Sequence, residues 1–222
     1  SYIRRVNKLL TCLLTYLFAY LLYILNKYNL ECKIVQTLFH NSLARSVVKK
    51  VCIVHAIRHS FDDLLDVRRA QQIDVLFLTE TWHDGDSICL RWLSAEGLQV
   101  ADRARPRLRT DTLTTNHGGI VVTATSGVRL SVVDLGVKPS TFELLCVRVV
   151  SGASSFIAAT IYRPGSAAIS ATFFAEMSDV LDRLATFVEP VLLTGDVNIR
   201  LERPTDSETV RFIDMLTACG FA

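Results

Sequence analysis

Apolar residues occur along this chain as short runs, alternating with a few longer stretches of helical period, the pattern of strands and helices that share a core. Ile73 to Leu78 is apolar except for Asp74, as a strand buried on both faces requires, and it leaves through Thr79-Glu80-Thr81-Trp82 into turn-forming His83-Asp84-Gly85-Asp86. Before it, Cys32 to Phe39 reads as a strand, His40 to Ser46 as a polar loop, and Val47 to Gln72 as helix in two pieces. In the second piece Leu64, Leu65 and Val67 form the dry side, and Asp62, Asp63, Arg68 and Arg69 the wet side. Ser87 to Glu96 predicts a short helix that stops at Gly97. Ile120 to Thr125 and Val128 to Val133, joined by Ser126-Gly127, predict a hairpin. Phe142 to Val150 and Phe156 to Arg163 predict a second antiparallel pair, so the sheet should be mixed. Thr172 to Phe187 places Phe173, Phe174, Met177, Val180, Leu181, Leu184 and Phe187 on one helical face. Pro190 to Thr194 returns to the sheet and ends in Gly195-Asp196-Val197-Asn198. A last helix is expected from Thr205, with Glu208 completing a capping box and Val210, Ile213 and Leu216 buried.

Leu9 to Leu25 lacks any charge and follows Arg4, Arg5 and Lys8, which leaves three readings open: a membrane anchor, a buried helix, or upstream sequence joined in frame. Residues 1–40 are therefore set apart as an N-terminal extension with an apolar helix over 9–25, and 41–222 as one α/β domain. A chain of 222 residues, 50% hydrophobic and 21% charged, has enough apolar material for such a core. Its net charge of +2 neither requires nor excludes a polyanionic partner, so any nucleic-acid case must rest on local clustering. The six cysteines contain no C-x-x-C pair, which argues for reduced, mostly buried thiols in an intracellular protein. The chain starts at Ser1 rather than Met and stops directly after a helical pattern, as expected of a fragment.

Three polar groups stand where apolar runs end: Glu80, Tyr162-Arg163-Pro164 and Gly195-Asp196-Val197-Asn198. Ligands of α/β sheets gather beyond strand ends, so the three are expected to converge. Asp196 and Asn198 point to one side if the strand continues, and Gly195 admits close backbone approach. Each fragment also has an ordinary reading: Glu80 as a cap or ion-pair partner, and Gly-Asp-x-Asn as a turn. Arg103, Arg105, Arg107 and Arg109 alternate with other residues, which in an extended chain makes a comb that can face phosphates; a solvated loop is the plainer alternative.

Taken in order and at these separations, Leu78-Thr79-Glu80-Thr81-Trp82, Gly118-Gly119, Ile161-Tyr162-Arg163-Pro164 and Gly195-Asp196-Val197-Asn198 resemble the endonuclease/exonuclease/phosphatase superfamily. Within it, the chain looks like the apurinic-like endonuclease domain of non-LTR retrotransposon polyproteins, over about residues 43–222. The resemblance implies a four-layer α/β sandwich with mixed sheets and a divalent-metal phosphodiesterase that nicks DNA to prime reverse transcription. It implies Glu80 as ligand of Mg²⁺ (or Mn²⁺) and Tyr162 beside the scissile phosphate. Asp196 would orient or deprotonate the attacking water, and Asn198 would hold the phosphate. DNA is the implied substrate, met by Arg103, Arg105, Arg107 and Arg109, and a reverse transcriptase in the same polyprotein the implied partner.

The chain departs from the family's pattern in two places. Leu43 stands before Ala44-Arg45-Ser46 where the family carries an asparagine, and Asn41 is the candidate to replace it through a shifted loop. The family's late aspartate and closing Ser-Asp-His segment would fall after Ala222, so the second half of the sandwich is expected to be incomplete, with an apolar sheet face exposed and turnover weak or absent. His117 is given no role. Two rivals remain: a phosphodiesterase or phosphatase of the same superfamily anchored in a membrane through residues 9–25, and a non-catalytic remnant that binds DNA or serves structure alone.

Overall fold

Two sheets lie face to face with helices outside each. The computed structural model describes residues 38–39, 51–55, 61–105, 118–166 and 168–221. The first sheet runs in the order β1 (Leu38–Phe39), β9 (Val191–Asp196), β8 (Ser154–Tyr162), β7 (Glu143–Ser151), β6 (Arg129–Val132). The second runs β2 (Val51–His55), β3 (Val75–Thr79), β5 (Ile120–Ala124), β4 (Gln99–Arg103). Each is mixed: β8 and β9 are parallel, as are β2 and β3, and the remaining pairs are antiparallel.

Period decides what each strand buries. On β5 and β3 every position is buried, so residues alternate between two apolar environments rather than between core and water. Val75, Phe77, Ile120 and Val122 face Leu145, Val147, Val149, Phe156 and Ala158 across the gap between the sheets. On the outside of the five-stranded sheet, α3 (Ala171–Leu184) and α4 (Ser207–Ala218) lay Phe173, Met177, Leu181 and Phe212 onto Ile157, Ile161 and Leu193. On the outside of the other sheet, α1 (Phe61–Gln71) and α2 (Ile88–Ala95) lay Leu64, Val67 and Leu93 onto Leu76, Leu78 and Val121. Phe77, Phe156 and Phe173 are fully buried, each contributing about 3 kcal/mol of transfer free energy. The layers thus run helix, sheet, sheet, helix.

Several sequence expectations need correction. Val51–His55 is a strand parallel to β3, not helix, because a short run rich in Val and Ile satisfies a parallel ladder as well as a helical face. The Ile120 to Val133 hairpin does not form: β5 pairs with β3 and β4, β6 pairs with β7, and Ser126-Gly127 carries the chain from one sheet to the other. β5 is wanted on both faces, whereas β6 is a largely exposed edge. The last helix begins at Ser207 with Asp206 as N-cap and no side-chain capping bond, and Glu208 accepts from the Ser207 hydroxyl instead of closing a capping box. It buries Thr209, Phe212 and Leu216, while Val210 and Ile213 face outward, because Phe212 reaches Phe173 in the core. The inner faces of both sheets cover one another, so no stripped sheet face is seen between them among the described residues. Residues 9–25 lie outside the described residues, and no helix among the latter is long and apolar enough to cross a membrane.

Candidate active site

β3, β8 and β9 end at one rim of the sandwich, and their last residues meet there. Tyr162 closes β8 and donates its hydroxyl to Glu80 Oε1 at 2.6 Å, a bond that crosses from one sheet to the other. Asp196 closes β9 as the register partner of Tyr162, so the two side chains leave adjacent parallel strands on the same face. Burial first, and then the bond to Glu80, push the Tyr162 phenol above its ordinary value, so it stays a neutral donor. The other oxygen of Glu80 has no hydrogen-bond partner among the described residues.

Gly195 allows the Asp196 strand to sit this close: a Cβ there would lie 1.9 Å from the carbonyl oxygen of Ile161, at a φ of +116°. Beyond it the chain turns back on itself. Asn198, at φ +51°, donates its backbone N–H to Asp196 Oδ1 (2.8 Å) and its side-chain Nδ2 to Asp196 Oδ2 (2.8 Å) and to the Arg163 carbonyl (2.7 Å). Both hydrogens of that amide are therefore engaged. Arg163 is 3% exposed and clamps the loop from below, donating to the carbonyls of Val197 (2.7 Å), Asn198 (2.7 Å) and Pro164 (3.2 Å). Burial lowers its pKa, opposed by Asp196. Two residues further into the sandwich stand Thr160 and Thr194, register partners whose buried hydroxyls have no hydrogen-bond partner among the described residues, so the floor beneath the rim is polar.

The arginine comb is only partly on view. Arg103 ends β4 and donates to the Leu144 carbonyl (3.0 Å); Arg105 donates Nε to Glu143 Oε1 (2.5 Å) and lies 5.7 Å over the Tyr162 ring. Arg107, Arg109, Asn41 and His117 lie outside the described residues. Glu80 is thus bonded to Tyr162 and Asn198 to Asp196, the two pairs joined by the register of Tyr162 with Asp196, and Arg105 lies at the edge over the Tyr162 ring.

Sequence reasoning passed over three residues here. Glu143 is the register partner of Tyr162, and its Oε2 accepts from the Gly119 amide (2.7 Å) while Oε1 holds Arg105. Its signal was present, an acid opening an apolar run, the same logic that singled out Glu80. Arg163 was noted as part of a motif without a role. His83 was read only as turn chemistry, yet it is buried and bonded to Thr81 and Asp102.

A hard divalent cation can be tested against this donor set. Glu80 offers an unengaged carboxylate oxygen, and among the described residues no group of three or more His, Cys, Asp or Glu side chains stands together to make a cage. An unengaged carboxylate oxygen fits an ion such as Mg²⁺, which is held by one or two carboxylates and completes its shell with water and substrate phosphate.

No protein-family model matches the chain, and no curated protein does. Solved structures match. The endonuclease domain of TRAS1, a telomere-specific non-LTR retrotransposon, aligns with 76% of this chain and 69% of its own at 9% identity and a TM-score of 0.53. The 3′ phosphatase NExo from Neisseria, bound to a product DNA hairpin, covers 75% of this chain and 69% of its own at 16% identity and a TM-score of 0.50. D. rerio TDP2, complexed with a single strand DNA product, covers 85% and 66% at 12% identity and a TM-score of 0.50. The chain spans about two thirds of the length of these proteins. At such identities the likeness carries the architecture, and the fold of this chain is the one shared by endonuclease/exonuclease/phosphatase proteins.

Proposed function

We propose that this chain is the phosphodiester-hydrolysing domain of a retrotransposon-type endonuclease, acting on DNA with Mg²⁺ or Mn²⁺. The observation that carries the reading is the bond from Tyr162 to Glu80, made across the two sheets with Asp196 beside Tyr162 in register. Glu80 would hold the cation, which when bound neutralises phosphate charge and favours attack by water. Asp196 takes the proton of the attacking water while its oxygen forms the new bond to phosphorus. The bond from phosphorus to the 3′ oxygen breaks and that oxygen takes a proton from solvent, leaving the 3′ hydroxyl that priming of DNA synthesis needs. Asn198 acts first on Asp196: both of its amide hydrogens are engaged, one of them on that carboxylate, so it aims the base, and contact with phosphate requires an exchange of one of those bonds. Tyr162, held neutral, presents a hydroxyl beside the phosphate. Arg103 and Arg105, with Arg107 and Arg109, supply positive charge along the DNA backbone. Target-site nicking, and a reverse transcriptase as partner in the same polyprotein, are proposed on the ordered motifs that resemble retrotransposon endonuclease domains; the likeness to the TRAS1 domain supports the shared fold alone.

Nicking of supercoiled plasmid in Mg²⁺ or Mn²⁺, followed by polymerase extension from the nick, tests the reading. Glu80→Gln and Asp196→Asn should each slow nicking at least about 100-fold, since general acid–base and charge-stabilising groups are typically worth that or more. A wild-type chain that neither nicks plasmid nor binds DNA or Mn²⁺, or variants that nick at the wild-type rate, would overturn it.

A further inference from the structure

The segment that carries Glu80 has an unusual backbone. Glu80 and Trp82 both adopt left-handed conformations, at φ +52° and +50°, and neither is glycine. Each costs about 1–2 kcal/mol relative to ordinary backbone, so something must hold the pair in place. Backbone bonds do part of this, from the Thr81 amide to the Gly119 carbonyl (3.3 Å) and from the Trp82 amide to the Gly118 carbonyl (2.7 Å). The first of these is long. Tyr162 bonds Glu80 from the other sheet, and further support comes from a side chain three residues beyond Glu80.

His83 is buried, with 1% of its side chain exposed. Its Nε2 lies 3.2 Å from Asp102 Oδ2, near the end of β4, and its Nδ1 2.5 Å from the Thr81 hydroxyl; in a neutral imidazole that donates Nε2–H to the carboxylate, Nδ1 is the acceptor. Val121 of β5 is the register partner of Asp102, so the strap passes over β5 and ties the end of β3 to β4. Gly119 makes room for it: a Cβ there would lie 2.8 Å from Thr81 Oγ1 and 2.9 Å from His83 Nδ1, at a φ of +91°. A histidine, an aspartate and a glycine far apart in sequence are thus fitted to one hydroxyl, that of the residue following Glu80.

We infer that His83 is a positioning residue for Glu80, acting through Thr81, with Asp102 fixing the imidazole so that Nδ1 accepts. This rests on the reading of Glu80 as the cation ligand. Partners that orient a ligand from outside the coordination sphere typically change metal affinity 10–100-fold when removed. The link to Thr81 is the one that matters. Asp102 is 35% exposed and can be rehydrated if its partner is lost, whereas the Thr81 hydroxyl belongs to the residue next to Glu80, so a change there reaches the ligand directly.

Two substitutions separate the links. His83→Asn keeps an acceptor near the Nδ1 position and gives up Asp102, and His83→Gln reaches Asp102 and gives up Thr81. Two readouts are taken on the full chain: Mn²⁺ affinity by electron paramagnetic resonance, and hydrogen exchange at the amides of Thr81 and Trp82. His83→Gln should weaken Mn²⁺ about 10-fold and speed exchange at both amides by a similar factor. His83→Asn should stay within about 3-fold of wild type in both. Equal loss in the two variants means that His83 merely fills space, and no loss in either means that it positions nothing; both overturn the inference. If wild-type chain binds no Mn²⁺, the cation reading of Glu80 fails, and exchange at Thr81 and Trp82 still decides whether the strap holds the loop.

Discussion

The two carboxylates of the site are delivered by loops built in opposite ways. The Asp196 loop holds itself. Gly195 admits the close approach, Asn198 folds back on Asp196, and Arg163, from the neighbouring strand, gathers three carbonyls of this turn and its own. The Glu80 loop is held from a distance, by Gly118 and Gly119, by the strap from His83 to Asp102, and by Tyr162 from the other sheet. Both loops place a non-glycine residue in the left-handed region, at Asn198 and at Glu80 and Trp82. Asparagine tolerates that conformation well, and Glu and Trp do not, so the second loop needs the external bracing. A self-contained turn survives changes elsewhere in the molecule, whereas a braced one transmits them.

The largest expected effect breaks the self-contained loop at its clamp. Arg163→Met removes the donors to Pro164, Val197 and Asn198 inside a buried turn, and urea denaturation should show a loss of about 3 kcal/mol or more. A loss below about 1 kcal/mol would mean that the turn stands without its clamp.

A smaller effect is expected on the braced side. Gly119→Ala forces a Cβ against Thr81 Oγ1 and His83 Nδ1 in an unfavourable backbone region, at a cost of about 1–3 kcal/mol. Its signature is spatial: amide exchange should quicken at Thr81 and Trp82 and stay unchanged at Asn198. Equal quickening at both loops would erase the distinction between them.

The smallest effect comes from a clamp outside the site, which serves as a control. Glu176 on α3 accepts from the backbone and hydroxyl of Ser140 and of Thr141, at 2.6–3.0 Å. Burial acts to raise its pKa, but those four bonds outweigh it and hold the carboxyl at about 2, below the ordinary 4.5. A depressed folded-state pKa means stability that is whole above pH about 4.5 and is lost as pH falls through about 2. Urea midpoints measured from pH 6 to pH 2 should therefore fall less steeply in Glu176→Gln than in wild type, with the amide exchange of the Glu80 loop unaffected by the substitution.

How far the site could be read in advance follows the same division. Gly195-Asp196-Val197-Asn198 is legible as a tetrapeptide because its bonds are made within the tetrapeptide and to the adjacent strand end. Glu80 is legible because a carboxylate at the end of an apolar run has no place in a core. Glu143, an acid opening an apolar run, bears the same mark, whereas His83 and Arg163 do not: they look like turn or loop chemistry until their partners arrive. The one-residue error on α4 has a similar origin, since Val210, Ile213 and Phe212 all suit a helical face and only contact with Phe173 selects Phe212.

By itself the sequence determined where apolar runs start and stop, the faces of α1 and α3, and the acids and glycines that close β3 and β9. Those features depend on period and on residues close along the chain. Only the tertiary structure decided that Ile120 to Val133 divides between two sheets, that Val51–His55 joins β3, and that His83 meets Asp102 across β5. Strand register and sheet stacking made those choices, because a run buried on both faces fits many partners equally well, and local pattern holds no record of which one it will meet.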